Sequence, residues 1–475
     1  MCKDILNKRK KLKTSLYHNS VKTTLSAINV AEKDGFGIVD SLANSYLTLL
    51  STITRSMSTP IILRQISRCI IKPQCLPEES KQIYHLNPWD ISMLSSHYVQ
   101  AGLLFPKPPV SINQEDNHDG ISAILDQLKE SLSRTLVHFI PLTGRFITQK
   151  SNNPHSYSIS VDCRDAPGVV EFIHAVADLK IADVLSPMDG PPIVHSFFPL
   201  NGVVNNDGHT MPLLAVQVTE LLDGIFMGCS FNHAIGDGAS FWHFVNTWSE
   251  LCREEVKDKR ISFPPILEPQ TMARLKAKAN AECNTTSISS LQVLPALLWR
   301  ATTEARQLNV NQTTNCTFVI DNRPRLNPPL SPNYFGNAVQ VVRGTTTVGE
   351  LLSHGLGWTA LILHQAVASH TDSVVREQME ANMVSPFIFY LSELFDPFGV
   401  TIASSPRFDM YGNDFGWGEP IAVRCGPANK FDGMVFAHPG KEGGGSVDLE
   451  VCLPPEEMGA LESIEEFMEA VSPLP

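Results

Sequence analysis

The 475-residue chain has little of what several large classes of protein require. It contains no uninterrupted apolar run of the roughly 18 residues that a membrane-spanning helix needs. Its 37 Lys and Arg are outnumbered by 49 Asp and Glu. The resulting net charge of −12 argues against a nucleic-acid partner, because phosphate backbones attract an excess of basic side chains. We therefore expect neither a membrane nor a nucleic acid among its partners.

Cysteine is present but follows no metal-binding pattern. The ten cysteines include no Cys-x-x-Cys pair, so neither a zinc site nor a disulfide framework is expected, and reduced thiols are the default. We expect no bound metal and a cytoplasmic location. A complete glycine-rich phosphate-binding pattern is also missing, and "GLGWTA" (355–360) is expected to be a turn.

The N-terminal stretch differs from the rest of the chain. It opens with the lysine-rich "KDILNKRKKLKTSLYHNSVKTT" and lacks the apolar core of a secretory signal. Low acidity with abundant Ser and Thr would suit a plastid transit peptide, whereas the excess of Lys over Arg favours a disordered or misassigned extension. We predict an atypical basic extension over residues 1–55, and both interpretations stay open.

The remaining residues have the length of two domains, since a chain of this size exceeds what one core usually holds. Helical patterns such as "GISAILDQLKESLSRTLVHF" interleave with strand patterns such as "PLLAVQVTEL" and the buried run "DGIFMGCSFNH". A proline-rich stretch, "ISFPPILEPQ" (261–270), marks a boundary. The sequence therefore predicts an α/β fold with an N-terminal domain over 56–255, a crossover loop over 256–285 and a C-terminal domain over 286–475.

One histidine stands where α/β proteins often place their functional groups. The strand in "IFMGCSF" ends just before His233, and Asp237 is a good N-cap for the helix in "DGASFWHFVNTWSEL". An imidazole at the carboxyl end of a buried strand could take a proton from a hydroxyl or amine nucleophile near neutral pH. The alternative is a core histidine satisfied by backbone groups, and the spacing alone does not choose between the two.

A second unusual stretch is "YGNDFGWGEP" (411–420). Three glycines around two aromatic side chains indicate a tight loop in which backbone segments approach closely. The residues favour a packed aromatic turn, with Asp414 paired to an arginine, over a catalytic role.

Taken in order and about 180 residues apart, "HAIGDG" and "DFGWG" resemble the two signature motifs of the plant BAHD family of acyl-CoA-dependent acyltransferases. Further stretches fit the same family, namely "LNPWD", "FIPLTGR", "VDCRDA", "DNRPRLNPPLSPNYFGN" and "EGGGSVDLEVCLPP". The resemblance covers roughly residues 60–473. Within the family it is strongest to uncharacterised acetyltransferase-like and hydroxycinnamoyltransferase-like members.

This resemblance implies a chloramphenicol-acetyltransferase-like fold of two α/β domains, each a mixed sheet with helices, and an active-site channel between them. It also implies a monomer that uses acyl-CoA as co-substrate and acylates a small-molecule alcohol or amine of plant specialised metabolism. His233 would be the general base of a direct transfer without an acyl-enzyme. Asp237 and Gly238 would hold the loop, with the carboxylate turned away from the substrate.

The resemblance also assigns architectural roles, and the need of CoA phosphates for hydrogen-bond donors points to candidate contacts. The second motif, which comprises Asp414, Gly416, Trp417 and Gly418, would be structural, with Arg323 or Arg325 as the partner of Asp414. Serines at the start of a long helix, whose N-terminus is the positive end of its dipole, would meet the CoA phosphates; they are Ser287, Ser289 and Ser290. A plain N-cap role for one of them is the alternative. The strand "TIASSPRF" would line the channel through Ser404 and Ser405.

Two features depart from the family pattern. Glu419 stands where the family usually has a lysine, which reverses a charge near the channel. The crossover also lacks some tens of residues, including a strand that normally opens the second domain, and such a loss would expose a sheet edge. Both favour an alternative hypothesis, a catalytically impaired relative that binds small molecules or a protein. A condensation-type domain is disfavoured, because such domains carry a second histidine where this chain has Asn232.

Overall fold

Strands and helices alternate along most of the chain. The computed structural model describes residues 63–75, 82–108, 117–152, 155–164, 170–185, 192–254, 270–385, 388, 396–443 and 445–471. The predicted extension over 1–55 lies outside the described residues. Within the described ranges, no helix combines the length and the hydropathy needed to cross a bilayer.

The strands of the described residues form three sheets. In chain order they are β1 (Leu63–Ile71), β2 (Ile83–His85), β3 (Val99–Pro106), β4 (Arg145–Asn152), β5 (His155–Asp162), β6 (Val170–Ala177), β7 (Leu214–Glu220), β8 (Gly224–Phe231), β9 (Thr313–Asp321), β10 (Val339–Thr347), β11 (Val400–Ala403), β12 (Ala422–Cys425), β13 (Met434–Pro439) and β14 (Val447–Cys452). Their orders are β1-β6-β7-β8-β3-β12, β10-β9-β11-β13-β14 and β2-β5-β4.

The described residues also form helices and short turns. The helices are α1 (Pro88–Ser92), α2 (Asn117–Thr135), α3 (Ile181–Leu185), α4 (Gly238–Glu254), α5 (Gln270–Glu282), α6 (Ser290–Ala305), α7 (Val348–Ser353), α8 (Leu356–Ser369), α9 (Asp372–Val384), α10 (Pro455–Leu461) and α11 (Glu465–Met468). Short 3₁₀ turns span Ile140–Thr143, Pro192–Phe197, Asn205–His209 and His233–Ile235.

The six-stranded sheet is the core of the first half of the chain. It is mixed, since β6 and β7 run parallel whereas β7 and β8 run antiparallel. Residues of α2 and α4 pack with one face of the sheet, and the turn Pro192–Phe197 packs with the other. Strand β8 is buried along its whole length, because both of its faces are covered. Its buried run therefore ends at the His233 loop.

The five-stranded sheet organises the second half. Strand β11 pairs in parallel with both β9 and β13, and the outer strands β10 and β14 are antiparallel to their neighbours. Helix α6 packs into the core beside this sheet and buries Trp299, whose indole nitrogen donates to Thr314 Oγ1 at 2.9 Å. Two mixed sheets with their own helices confirm the predicted α/β class.

One strand of the second half joins the sheet of the first. Strand β12 lies between β11 and β13 in the chain, yet it pairs antiparallel with β3, with Gly102 opposite Arg424. The strand follows the "DFGWG" stretch directly. The two halves are therefore joined by backbone hydrogen bonds immediately after the second motif.

The predicted crossover loop over 256–285 is wrong in its last part, which contains α5. The helix buries Met272, Leu275 and Ala279, and it contacts α6 and α8. Met272, Leu275 and Ala279 are three and four residues apart, which is the spacing of one helix face. The sequence therefore contained a signal for this helix. The crossover residues ahead of it, up to 269, lie outside the described ranges.

Candidate active site

The His233 loop begins where β8 ends. Asn232 caps the 3₁₀ turn, since its side-chain oxygen accepts the Ala234 N–H at 3.0 Å. The amide nitrogen of the same side chain donates to the Asn205 carbonyl at 2.8 Å. Because Asn232 is fully buried, both contacts are shielded from water. The loop therefore has a fixed shape.

Two asparagine side chains hold the peptide groups of His233 from opposite sides. The His233 N–H donates to Asn205 Oδ1 at 2.7 Å, and Asn337 Nδ2 donates to the His233 carbonyl at 2.7 Å. Asn205 belongs to the first half of the chain, whereas Asn337 comes just before β10 in the second. Both asparagines are fully buried. The position of the histidine thus depends on both halves.

The His233 ring is half-buried. Its Nδ1 atom is buried and has no hydrogen-bond partner among the described residues. Desolvation lowers the pKa of His233 below its ordinary value, and the negative charge of Asp237 partly opposes that shift. The imidazole is therefore neutral at neutral pH and can accept a proton.

Asp237 is committed to structure on both carboxylate oxygens. Oδ1 accepts the Ser240 N–H at 3.0 Å, which caps α4, and Oδ2 accepts the Ala338 N–H at 3.0 Å. Arg323 binds the carboxylate with both terminal nitrogens, at 2.8 and 3.0 Å. Asp237 and Arg323 are 1% and 3% exposed. Each carboxylate oxygen thus accepts two hydrogen bonds, and neither has a lone pair free to bind a substrate.

Arg323 joins the His233 loop to the second half of the chain. Beyond Asp237, it donates to the carbonyls of Tyr334 and Gly336, each at 3.1 Å, and to Asp321 Oδ1 at 3.1 Å. The negative charge of Asp237 raises the pKa of Arg323 against the effect of burial. This geometry corrects the expected pairing of Arg323 with Asp414.

Arg325 is not the partner of Asp414 either. Its guanidinium donates to the carbonyls of Val367 and His370, at 3.4 and 3.3 Å. Asp414 Oδ1 instead accepts the N–H groups of Gly416 and Gly418, at 2.8 and 2.9 Å. Among the described residues, Asp414 forms no salt bridge with an arginine, because this local turn uses its carboxylate.

The glycines of the second motif are required by backbone conformation. Gly416 and Gly418 have φ of 104° and 113°, a region that side chains with a Cβ rarely adopt. Gly418 and Glu419 are exposed. The stretch therefore forms a tight turn whose tip faces solvent.

The aromatic residues of the second motif pack in the core of the first half. Phe415 is fully buried and meets Trp248 edge-to-face at 5.1 Å and Phe105 at 6.0 Å. Trp417 is half-buried and lies against Phe105 at 6.0 Å. The expected packed aromatic turn is thus present, and it joins the two halves through apolar contacts.

The serines at the start of α6 occupy cap and turn positions. Ser289 is the N-cap, and its N–H donates to Gln292 Oε1 at 2.6 Å in a capping box. Ser290 is the first residue of the helix, and Ser287 is exposed ahead of it. Their contact with CoA stays a prediction.

Ser404 and Ser405, the other two candidate serines, were expected on a strand. They lie instead on the turn that follows β11. Strand β11 ends at Ala403, and Ser404 is exposed with a positive φ of 68°. Ser405 Oγ accepts the Arg407 N–H at 3.2 Å. This turn brings Phe408 against Gly238, where a Cβ would lie 3.1 Å from the phenyl ring. The segment after β11 therefore contacts the start of α4, a link that sequence reasoning missed.

A cluster of possible metal ligands lies elsewhere. Cys425 Sγ is 3.5 Å from His438 Nε2, and Glu450 is close to both. Glu450 accepts the Cys425 N–H on one oxygen at 3.1 Å and binds the Lys430 ammonium with the other at 3.0 Å. An ammonium group at this position opposes a divalent cation, so the cluster is best described as a buried hydrogen-bonded network.

The described residues form an α/β fold built from two halves, with the His233 loop held between them. The Transferase family model matches residues 63–267 and again 254–468. The chain belongs to this family, the BAHD acyltransferases.

Individual relatives agree with this membership. An uncharacterized acetyltransferase of Arabidopsis thaliana is 36% identical over 449 residues, which cover 85% of this chain and 98% of the relative. A shikimate O-hydroxycinnamoyltransferase of Nicotiana tabacum is 28% identical over 386 residues, or 70% of this chain and 86% of the relative.

A solved structure shares the fold. TRI101 of F. graminearum, complexed with coenzyme A and deoxynivalenol, superposes with a TM-score of 0.64 at 18% identity, covering 82% of this chain and 98% of TRI101. The chain thus shares its fold with TRI101.

Proposed function

We propose that the protein transfers an acyl group from acyl-CoA to a hydroxyl or amine of a small plant metabolite, with His233 as the general base. The observation that carries the proposal is the His233 loop: a half-buried imidazole of lowered pKa whose peptide groups are held on both sides. The relatives that are named for acetyl and hydroxycinnamoyl transfer support donors of those classes. The CoA in the TRI101 structure supports acyl-CoA as co-substrate.

The proposed chemistry needs a single base. The neutral His233 ring accepts the proton of the acceptor O–H or N–H, and the freed electron pair attacks the thioester carbonyl. The tetrahedral intermediate expels CoA thiolate, which the imidazolium reprotonates. Binding both substrates together supplies proximity. Because Asp237 is saturated by structural hydrogen bonds, it takes no part in proton transfer.

We further propose that the enzyme acts as a cytoplasmic monomer in specialised metabolism. The serines at the start of α6 and after β11 are the proposed CoA contacts. Those at α6 stand at a helix N-terminus, where backbone N–H groups and the helix dipole favour phosphate.

Acceptor-dependent release of CoA thiol tests the proposed function directly. The full-length protein is given acetyl-CoA, malonyl-CoA or hydroxycinnamoyl-CoA, with and without a pool of plant alcohols and amines, and free thiol is measured. We expect one donor class to release thiol only when an acceptor is present, with an equal amount of acylated product by mass spectrometry. A folded protein without such release for any donor would support the impaired, binding-only relative.

The pH dependence of kcat/KM reports the protonation of His233. The reaction needs the neutral ring, so kcat/KM should fall as the pH drops through the His233 pKa. Because burial lowers that pKa, the midpoint of the acid limb should lie below about 6.5, the ordinary histidine value. A profile from pH 4.5 to 8.5 measures it. A midpoint above that value would contradict a desolvated base.

A further inference from the structure

We propose that Asp90 is a positioning residue for His233 and acts on it through the side chain of Asn337. The proposal rests on the proposed function, since it takes His233 as the base. It assigns a purpose to a buried carboxylate that contacts neither the ring of His233 nor the Asp237–Arg323 ion pair.

Asn337 bridges Asp90 and His233 with one amide group. Its Nδ2 atom donates to Asp90 Oδ1 at 2.9 Å and to the His233 carbonyl at 2.7 Å. A side-chain amide has two N–H donors, so each contact uses one of them. The Asn337 backbone N–H also donates to Asp90 Oδ1 at 2.9 Å. The asparagine is thus anchored on Asp90 at two points.

The orientation of the Asn337 amide depends on Asp90. The Oδ1 atom of Asn337 is buried and has no hydrogen-bond partner among the described residues. The Nδ2 contacts to Asp90 and to the His233 carbonyl therefore orient the amide. Without the carboxylate, the amide could turn and release the carbonyl of the base. A displacement of about 1 Å at a reacting group can cost on the order of 10²-fold in rate.

The environment of Asp90 shows that its charge is maintained at a cost. The side chain is 5% exposed, and burial raises its pKa to about 6, with the charge of Asp237 adding to the shift. Hydrogen bonds from Asn87 and Asn337 act in the opposite direction. A buried charge is unfavourable unless it is hydrogen-bonded, and two of its three N–H donors belong to the residue that holds His233.

Asn205 does not bind the His233 carbonyl, which is held by Asn337. It binds only the N–H of His233 and is itself held by the Met93 carbonyl and Ser96 Oγ, at 2.8 and 2.9 Å. Those contacts lie within the first half of the chain. Asp90 is also in the first half, whereas Asn337 is in the second. Asp90 therefore holds a residue of the second half, Asn337, in place against the carbonyl of the base.

The substitution D90N tests the proposal. It keeps the shape of the side chain but replaces one acceptor oxygen by a donor that faces other donors. We expect kcat to fall about tenfold, the effect of losing about 1.4 kcal/mol of charge-assisted hydrogen bonding, while KM for both substrates stays within about twofold. N337A should lose at least as much. The double variant D90N/N337A should be no slower than N337A, because both act along one path.

A matched control separates positioning from general stability. Asp396 also binds an asparagine amide, since it accepts Asn315 Nδ2 at 2.5 Å, and it accepts the Phe398 N–H at 2.9 Å. D396N removes a comparable carboxylate–amide contact away from His233, so it should lower Tm and leave kcat unchanged. Equal losses of kcat in D90N and D396N would overturn the proposal.

An NMR measurement on the His233 ring tests the positioning role of Asp90 without depending on enzyme activity. In protein with isotope-labelled histidine, the ring resonance of His233 is assigned by its loss in H233Q and is titrated with pH. D90N should shift this resonance or its midpoint, whereas D396N should not. Thiol release that is absent from the wild type with every donor would reject the proposed function alone. An unshifted His233 resonance in D90N would reject the positioning role.

Discussion

Replacing His233 with alanine is expected to lower kcat by about 10²- to 10⁴-fold, the usual contribution of a general base, without unfolding the protein. Asn205 and Asn337 bind the peptide groups of residue 233, so alanine keeps both contacts. The ring nitrogen Nδ1 has no hydrogen-bond partner among the described residues, and its removal breaks no bond there. Activity and stability should therefore separate cleanly in this variant.

The matched control for H233A is H243A. His243 lies ten residues further on, inside α4, where its half-buried ring packs edge-to-face on Phe139 at 5.3 Å. H243A should keep kcat within about twofold of the wild type while losing some stability from packing. Steady-state thiol release and thermal unfolding measure both quantities. If H233A retained more than about a tenth of the wild-type kcat, the ring would not be the base.

Much of the local structure around the site could be predicted from the sequence. The buried run that ends at Phe231 forms β8, and Asp237 caps α4 as its residue type suggested. In α2, Leu125, Leu128 and Leu132 lie on one buried face. These features depend on residue spacing and on side chain to backbone contacts a few residues apart, which a linear sequence displays.

The partner of each charge could not be predicted in the same way. Asp237 and Asp414 both lie within two residues of a glycine on either side, and Arg323 or Arg325 was the expected partner of Asp414. Arg323 in fact binds Asp237, 86 residues away, while Asp414 is satisfied within its own turn. Choosing between two carboxylates for one guanidinium requires knowing which strand ends meet, and composition does not contain that information.

The pairing of β12 with β3 was also beyond sequence reasoning. A four-residue strand carries little periodicity, and strand pairs distant in the chain have no local signature. The position of β12 nevertheless shows what the second motif does in the fold. Phe415 and Trp417 enter the core of the first half, and β12 then extends the sheet of that half. The motif therefore joins the two halves of the chain through packing and strand pairing.

The ion pair behind the His233 loop should dominate stability among the residues of the site. Replacing Arg323 with methionine leaves the Asp237 carboxylate buried without its counter-charge, and the carbonyls of Tyr334 and Gly336 lose a donor. Breaking a buried pair in this way typically costs about 3–5 kcal/mol. We expect a loss of that size in the free energy of unfolding, measured by chemical denaturation. We also expect a reduced kcat, because the loop and α4 lose one of their ties to the second half.

Two further variants test whether the burial of the Asp237–Arg323 pair causes the loss in the free energy of unfolding. R376M breaks the surface pair with Asp372, whose contacts of 2.9 and 3.0 Å are as short, and water compensates both charges there, so the loss should be much smaller. D237N should cost less than R323M, because Arg323 keeps Asp321 as a partner at 3.1 Å and asparagine can still cap α4. Equal losses in R323M and R376M would show that the buried pair does not hold the loop.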